Sequence, residues 1–254
     1  MRIALFGAAG PTGRELTSQA LAAGHEVTAV TRRPDAVPPR PGLAVAAADA
    51  LDPDAVERVV AGHDAVLSAL GAPPGRTPTT LYSAGAAHLI AAMERHGVRR
   101  LLVVSSSVLD PAWRPSGAFF FNNVLDPYVN RIVARTAHDD MRRMEAGVRA
   151  SGLDWTIVRP SGLFDHPAPT RRLVTEDSAD GVFTARADLA ASMLDELREE
   201  RFTRRVMGVA TTEVRPNVPR MIWREIRKNA RGGVRNPAGD SSLRTPSVRR
   251  EPSV

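Results

Sequence analysis

The sequence predicts an α/β protein with a doubly wound parallel sheet in a single domain. Short apolar, β-branched runs alternate with longer segments of helical period, the order that gives parallel strands joined by crossover helices. A glycine-rich turn joins the first strand to the first helix. The chain has 254 residues, 43% of them hydrophobic and 24% charged, enough for one ordinary core. The first strand is expected at 2–6, followed by a helix at 12–23 that Gly24 stops. Strands follow at 26–31 and 44–47, a helix at 54–60, and a strand at 65–68. A helix at 83–96 ends at Gly97, and the fifth strand covers 101–105. Pro111, Pro115, Gly117, Asn122 and Asn123 then break every period, so 110–125 is expected as a loop. Asp126 ahead of Pro127 starts a helix at 127–150 that Gly152 stops. A strand at 156–159, a helix at 187–198 and a strand at 206–210 complete the order.

Composition excludes several classes. No apolar run reaches membrane-spanning length, and Met1 to Phe6 leads straight into the turn, so neither a span nor a signal peptide is expected and the protein reads as cytoplasmic. Cysteine is absent, which removes disulfides, thiolate catalysis and thiolate-bound metals. The net charge of +6 is unevenly placed: residues 204–254 carry 12 basic and 4 acidic side chains, leaving 22 basic and 24 acidic elsewhere. The body therefore has no electrostatic case for nucleic acid. Residues 229–254, rich in Arg, Pro, Gly and Ser, are expected to be a disordered basic tail suited to an anionic partner, with the domain at 1–228. Lys228 is the only lysine.

The turn reads Gly7-Ala8-Ala9-Gly10-Pro11-Thr12-Gly13, a GxxGxxG spacing between strand and helix. Glycines there let the backbone approach a pyrophosphate seated on the helix N-terminus. At the end of the second strand, an NAD enzyme commonly places a carboxylate for the ribose 2′-hydroxyl. This chain has Thr31-Arg32-Arg33-Pro34, whose guanidinium groups suit a 2′-phosphate. NADP(H) is therefore expected over NAD(H), against the plain alternative that Arg32 and Arg33 only solvate a loop.

These residues resemble the NAD(P)H-binding, atypical branch of the short-chain dehydrogenase/reductase superfamily, which includes flavin/biliverdin-IXβ reductase-like and NmrA-like proteins. The resemblance runs from about Met1 to Ala210. It rests further on Ala48-Asp49-Ala50-Leu51-Asp52, on Ser68-Ala69-Leu70-Gly71, and on the run from Gly97 to Ser106. The run from Ser151 to Pro160 and the segment Arg186-Ala187-Asp188-Leu189-Ala190 add to it. The resemblance implies a Rossmann core with cofactor contacts at Gly7, Gly10, Thr12, Gly13, Arg32, Arg33, Asp49, Ala50, Leu70 and Gly71. It places Pro160 and Leu163 beside the nicotinamide, and the substrate near Ser105 and Ser106.

The Tyr-x-x-x-Lys acid/base pair of the larger superfamily is missing, because Tyr82 is followed four residues on by Ala86 and Tyr128 by Ile132. Hydride transfer to a flavin, quinone or similar conjugated acceptor needs no strong protein acid, only two flat rings held together. Trp113, Phe119, Phe120, Phe121 and Tyr128, five of the twelve aromatics, suit a flat apolar substrate or, equally, pack the loop onto the sheet. The resemblance implies Ser106 as the candidate catalytic hydroxyl, since the family keeps a serine at this strand end, with Ser105 and Ser107 competing for the role and a plain strand terminus as the alternative. Asp140 and Glu145 read mainly as a solvated helix face beside Arg142 and Arg143. Met141 and Gly162 stand where biliverdin-reductase-like members carry histidines, which argues against a tetrapyrrole. The six histidines give no metal signature, and His138 and His166 read as surface residues.

The leading functional expectation is an NADPH-dependent reductase of a conjugated acceptor. An NmrA-like NADP(H)-sensing protein without turnover, or an isomerase or cyclase on the same scaffold, are the competing readings.

Overall fold

The computed structural model describes residues 1–72, 77–116 and 135–216. The expected tail, the aromatics at 119–121, Tyr128 and the start of the helix expected at 127 lie outside the described residues, and so does Lys228.

The elements run β1 (Arg2–Phe6), α1 (Pro11–Ala22), β2 (Glu26–Thr31), β3 (Leu43–Ala47), α2 (Pro53–Val60), β4 (Ala65–Ser68), α3 (Leu81–His96) and β5 (Arg100–Val104). They continue with α4 (Arg135–Ala150), β6 (Asp154–Pro160), β7 (Gly162–Phe164), β8 (Arg172–Glu176), β9 (Phe183–Ala185), α5 (Arg186–Glu199) and β10 (Arg205–Thr211). The main sheet has eight strands in the order β3-β2-β1-β4-β5-β6-β10-β8, all parallel except β8, which runs antiparallel to β10. The order reverses between β1 and β4, the switch point at which doubly wound folds bind ligands. The expected α/β doubly wound class is therefore the observed one.

Strand alternation decides which side chain meets which helix layer. Ala4, Phe6, Val66, Leu101, Val103 and Ile157 join Val56, Leu89, Met93, Met144 and Val148 in the core under α2, α3 and α4. Ile3, Leu5, Val27, Leu67, Leu102 and Val158 face the opposite way, onto Leu16 and Ala20 of α1 and Leu189 and Met193 of α5. Both faces are covered, so the central strands read as continuous apolar runs rather than alternating ones. Gly97 closes α3 with φ +70°, where a left-handed residue is needed to end the helix.

The structure adds β7, β8 and β9 to the expected list. At the N-terminal ends of the strands, Arg100 is buried and pairs with Glu196 at 2.7 Å. Glu196 also accepts from Thr156 and from the Phe202 amide. Burial works against the Arg100 charge and lowers its pKa. Its Nε has no partner among the described residues.

Candidate functional site

The turn after β1 is held by contacts that only glycine permits. Gly7 has φ +81°, and a Cβ there would stand 2.4 Å from the Ala69 carbonyl oxygen at the end of β4. A Cβ on Gly13 would stand 2.2 Å from the Gly7 carbonyl oxygen. Gly10 donates its amide to that same oxygen at 3.0 Å, and Arg14 donates to the Ala9 carbonyl at 2.9 Å. Pro11 opens α1, Thr12 is buried behind it, and the helix has neither a side-chain cap nor an acidic residue in its first turn. The outcome is a helix N-terminus with its positive end bare and the backbone drawn close to it, a cradle that fits a pyrophosphate.

Beside β2, the Thr31 hydroxyl accepts the Arg33 amide at 3.1 Å and turns the chain outward. Arg32 and Arg33 are exposed. Arg32 lies 3.8 Å from Asp49 with 71% of its side chain exposed, a pair worth at most about 1 kcal/mol, so its guanidinium can exchange to a phosphate. Asp49 is tied by accepting the Leu51 amide, and the Ala50 carbonyl bonds the His88 ring at 2.9 Å. On α3, an added Cβ at Gly85 would lie 3.1 Å from Leu70 and 3.5 Å from Ala50, so this glycine lets Ala50 and Leu70 come together. Among the described residues nothing lies within 4 Å of where a Gly71 side chain would stand.

The loop after β4 is anchored from below. The Ala69 amide bonds the Phe6 carbonyl, and the Ala72 amide donates to the Tyr82 hydroxyl at 2.9 Å. Burial raises the Tyr82 pKa, with Asp140 adding to the effect against the Ala72 bond. Asp140 is fully buried and caps α3 from α4, accepting the Tyr82 and Ser83 amides and the Ser83 hydroxyl. Arg143 reaches it at 3.1 Å.

Just past the C-terminal end of β5 the structure separates the three serines. Ser105 is buried and donates to Glu145 at 2.7 Å, and Ser107 is buried and donates to the Arg159 carbonyl at 3.0 Å. The half-buried Ser106 hydroxyl makes no hydrogen bond among the described residues. Arg159 grips Glu145 through Nε at 3.0 Å and Nη2 at 2.6 Å, a forked pair with Arg159 8% and Glu145 6% exposed. Burial works against the Arg159 charge, but Glu145, with Asp110 and Asp177 adding to it, outweighs that and the pKa is raised. Pro160 follows in the same strand, buried. Leu163 is half-buried on β7, packed on the core and paired with Thr184 of β9.

The expected solvated face of α4 is corrected here. Asp140 and Glu145 turn inward because each meets buried donors from a distant segment, while Asp139 keeps the surface pairs with Arg135 and Arg142. Sequence reasoning missed Glu145 and Arg159. A clue lay in Arg159, a charge at the end of a strand buried on both faces, where a buried partner is obligatory. Trp113 is likewise buried and donates its indole N–H to the Ala179 carbonyl at 3.0 Å, so it packs the loop rather than facing a ligand. Among the described residues no three His, Asp or Glu side chains gather to hold a metal, and no helix is long and apolar enough to cross a membrane.

Comparison with known proteins agrees with this geometry. The family model described as NAD(P)H-binding matches residues 7–200. The uncharacterized protein YwnB of Bacillus subtilis is 29% identical over 80% of this chain and 97% of its own. An uncharacterized chloroplastic protein of Arabidopsis thaliana is 29% identical over 91% of this chain and 83% of its own. A short-chain dehydrogenase/reductase of Veillonella parvula, solved in complex with NADP, has a TM-score of 0.71 at 20% identity over 85% of this chain and 98% of its own. The anaerobilin reductase ChuY of Escherichia coli has a TM-score of 0.67 at 23% identity over 85% of this chain and 100% of its own. The glycine cradle at the β1–β4 switch point and the matched family model together place the chain in the NAD(P)H-binding family.

Proposed function

We propose that the protein is an NADPH-dependent oxidoreductase acting on a small, flat, conjugated acceptor such as a flavin or quinone. The observation that carries this reading is the cradle at Gly7 and Gly13, where only glycine lets the turn pack against the Ala69 carbonyl and against its own backbone at the uncapped N-terminus of α1. Gly10 and Thr12 complete the cradle. Arg32 and Arg33 take the 2′-phosphate, since residues 31–34 at the end of β2 offer two exposed Arg side chains and no carboxylate of their own, and the pair of Arg32 with Asp49 is weak. Asp49 and Ala50 lie beside the adenine, Leu70 and Gly71 contact the cofactor from the loop after β4, and Pro160 and Leu163 border the nicotinamide. The Veillonella parvula protein, similar in fold, was captured with NADP.

NADPH supplies a hydride when bound. The chain's part is to orient the two rings and exclude water, with the Ser106 hydroxyl, unbonded among the described residues, bonding the carboxamide or the acceptor. No protein acid is required, since a conjugated acceptor spreads the added charge and takes its proton from water. Tyr82 is unsuited to that work because its hydroxyl is buried and engaged by the Ala72 amide.

The test is titration with NADPH and NADH, followed by NADPH oxidation with flavin mononucleotide and menadione. Tighter NADPH binding with consumption above the buffer rate is expected. NADPH binding with no consumption of either acceptor moves the assignment to the sensing role, and equal affinity for both cofactors removes the role given to Arg32 and Arg33.

A further inference from the structure

We propose that Glu145 and Arg159 are positioning residues, which act through Ser105 and Ser107 to fix the Ser106 hydroxyl at the nicotinamide end. The inference rests on the reductase reading above. It arises from an asymmetry among three consecutive serines. The outer two are tied to different elements, Ser105 to Glu145 on α4 and Ser107 to the Arg159 carbonyl on β6. The Ser105 amide also bonds the Val158 carbonyl at 2.7 Å, extending the β5–β6 ladder by one residue. Ser106 is therefore clamped on both sides while its own hydroxyl stays uncommitted among the described residues.

The clamp closes on itself. The Arg159 side chain forks onto the same carboxylate that receives Ser105, while its carbonyl receives Ser107. One buried ion pair thus sets the spacing of β5, β6 and α4 around the half-buried Ser106, and the chain runs directly from Arg159 into Pro160. Stability alone does not call for such a pair, because well-packed apolar residues generally serve a core as well or better. Rigid placement of one hydroxyl does call for it, since a hydroxyl on a loose strand end gives up the orientation that ring-to-ring transfer demands.

The test uses the full chain with NADPH and menadione, comparing wild type, Ser105→Ala, Ser106→Ala, the double variant and Glu145→Gln. Ser105→Ala is the main variant because it removes one hydroxyl and leaves the ion pair in place. It is expected to lower kcat about tenfold while the Kd for NADPH moves by less than about twofold, because the cradle and Arg32 lie at the other end of the cofactor. In the Ser106→Ala background, Ser105→Ala is expected to add nothing, which is the signature of one residue acting through the other. Glu145→Gln is expected to follow Ser105→Ala in kcat, with a lower Tm as well. A Ser105→Ala protein with wild-type kcat, or effects that multiply in the double variant, overturns the proposal and leaves the reductase reading standing. A wild-type protein that binds NADPH without oxidising it fails the reductase reading itself, and this inference falls with it.

Discussion

The Ala72 amide donates a 2.9 Å hydrogen bond to the Tyr82 hydroxyl, joining the loop after β4 to the first turn of α3. That loop carries Leu70 and Gly71, which the proposed function sets beside the cofactor, so on that reading the Tyr82 hydroxyl holds a cofactor-bordering loop in shape. Tyr82→Phe is expected to weaken NADPH binding by about 1 kcal/mol, roughly fivefold, the worth of one ordinary hydrogen bond. Fluorescence titration checks this, and an unchanged Kd removes Tyr82 from the cofactor site.

The same tyrosine gives a prediction in pH. Burial raises its pKa above 10, so the folded state favours the neutral phenol. Its contribution to stability is complete below the unfolded value of about 10 and is lost as pH rises from there through the folded value. Tyrosinate absorbance should therefore show Tyr82 ionising above the ordinary range, and Tyr82→Phe should remove that step. Titration of both tyrosines at the ordinary value would contradict the buried hydroxyl.

Gly13→Ala places a methyl group against the Gly7 carbonyl, and neither partner is a flexible side chain. Overpacking of this kind costs about 1–3 kcal/mol and displaces the turn. The variant is expected to fold with a lower Tm and to lose most NADPH affinity. Retention of wild-type affinity would show that the cradle is not where the phosphates sit.

Arg32→Ala and Arg33→Ala together remove both charges assigned to the 2′-phosphate. With about 1.5–3 kcal/mol for each charge-assisted bond, NADPH affinity should fall at least tenfold while NADH affinity holds or improves. Equal losses for the two cofactors would assign these residues to general electrostatics instead.

The sheet and the cradle were legible in the sequence because each follows from local pattern. The expected strands at 2–6, 26–31 and 65–68 coincide with β1, β2 and β4, whose apolar runs have no other use. Gly7 and Gly13 were legible because a strand-to-helix turn has few chemical solutions. The strands β7 and β9 went unread because three residues are too few to show a period. β8 went unread because an edge strand with every residue at best half-buried shows no alternation. Asp140 and Glu145 were hidden for another reason: in sequence they stand beside Arg142 and Arg143 and look like surface partners. Only the folded chain brings Tyr82 and Ser83 to the first and Ser105 and Arg159 to the second. The three serines 105–107 look alike in sequence, and only the folded chain distinguishes them, by engaging the Ser105 and Ser107 hydroxyls.

The Arg100–Glu196 pair lies at the N-terminal ends of the strands, across the full depth of the sheet from the glycine turn. Thermal robustness and cofactor handling are therefore separable properties of this scaffold. Removing Glu196 alone strands the Arg100 charge and should cost about 3–5 kcal/mol. Replacing Arg100, Glu196 and Thr156 together with an apolar set of matching volume also eliminates the unpartnered Arg100 Nε. Repacking that corner is expected to leave Tm unchanged or raised and the Kd for NADPH unchanged, since the proposed phosphate cradle lies at the opposite ends of the strands.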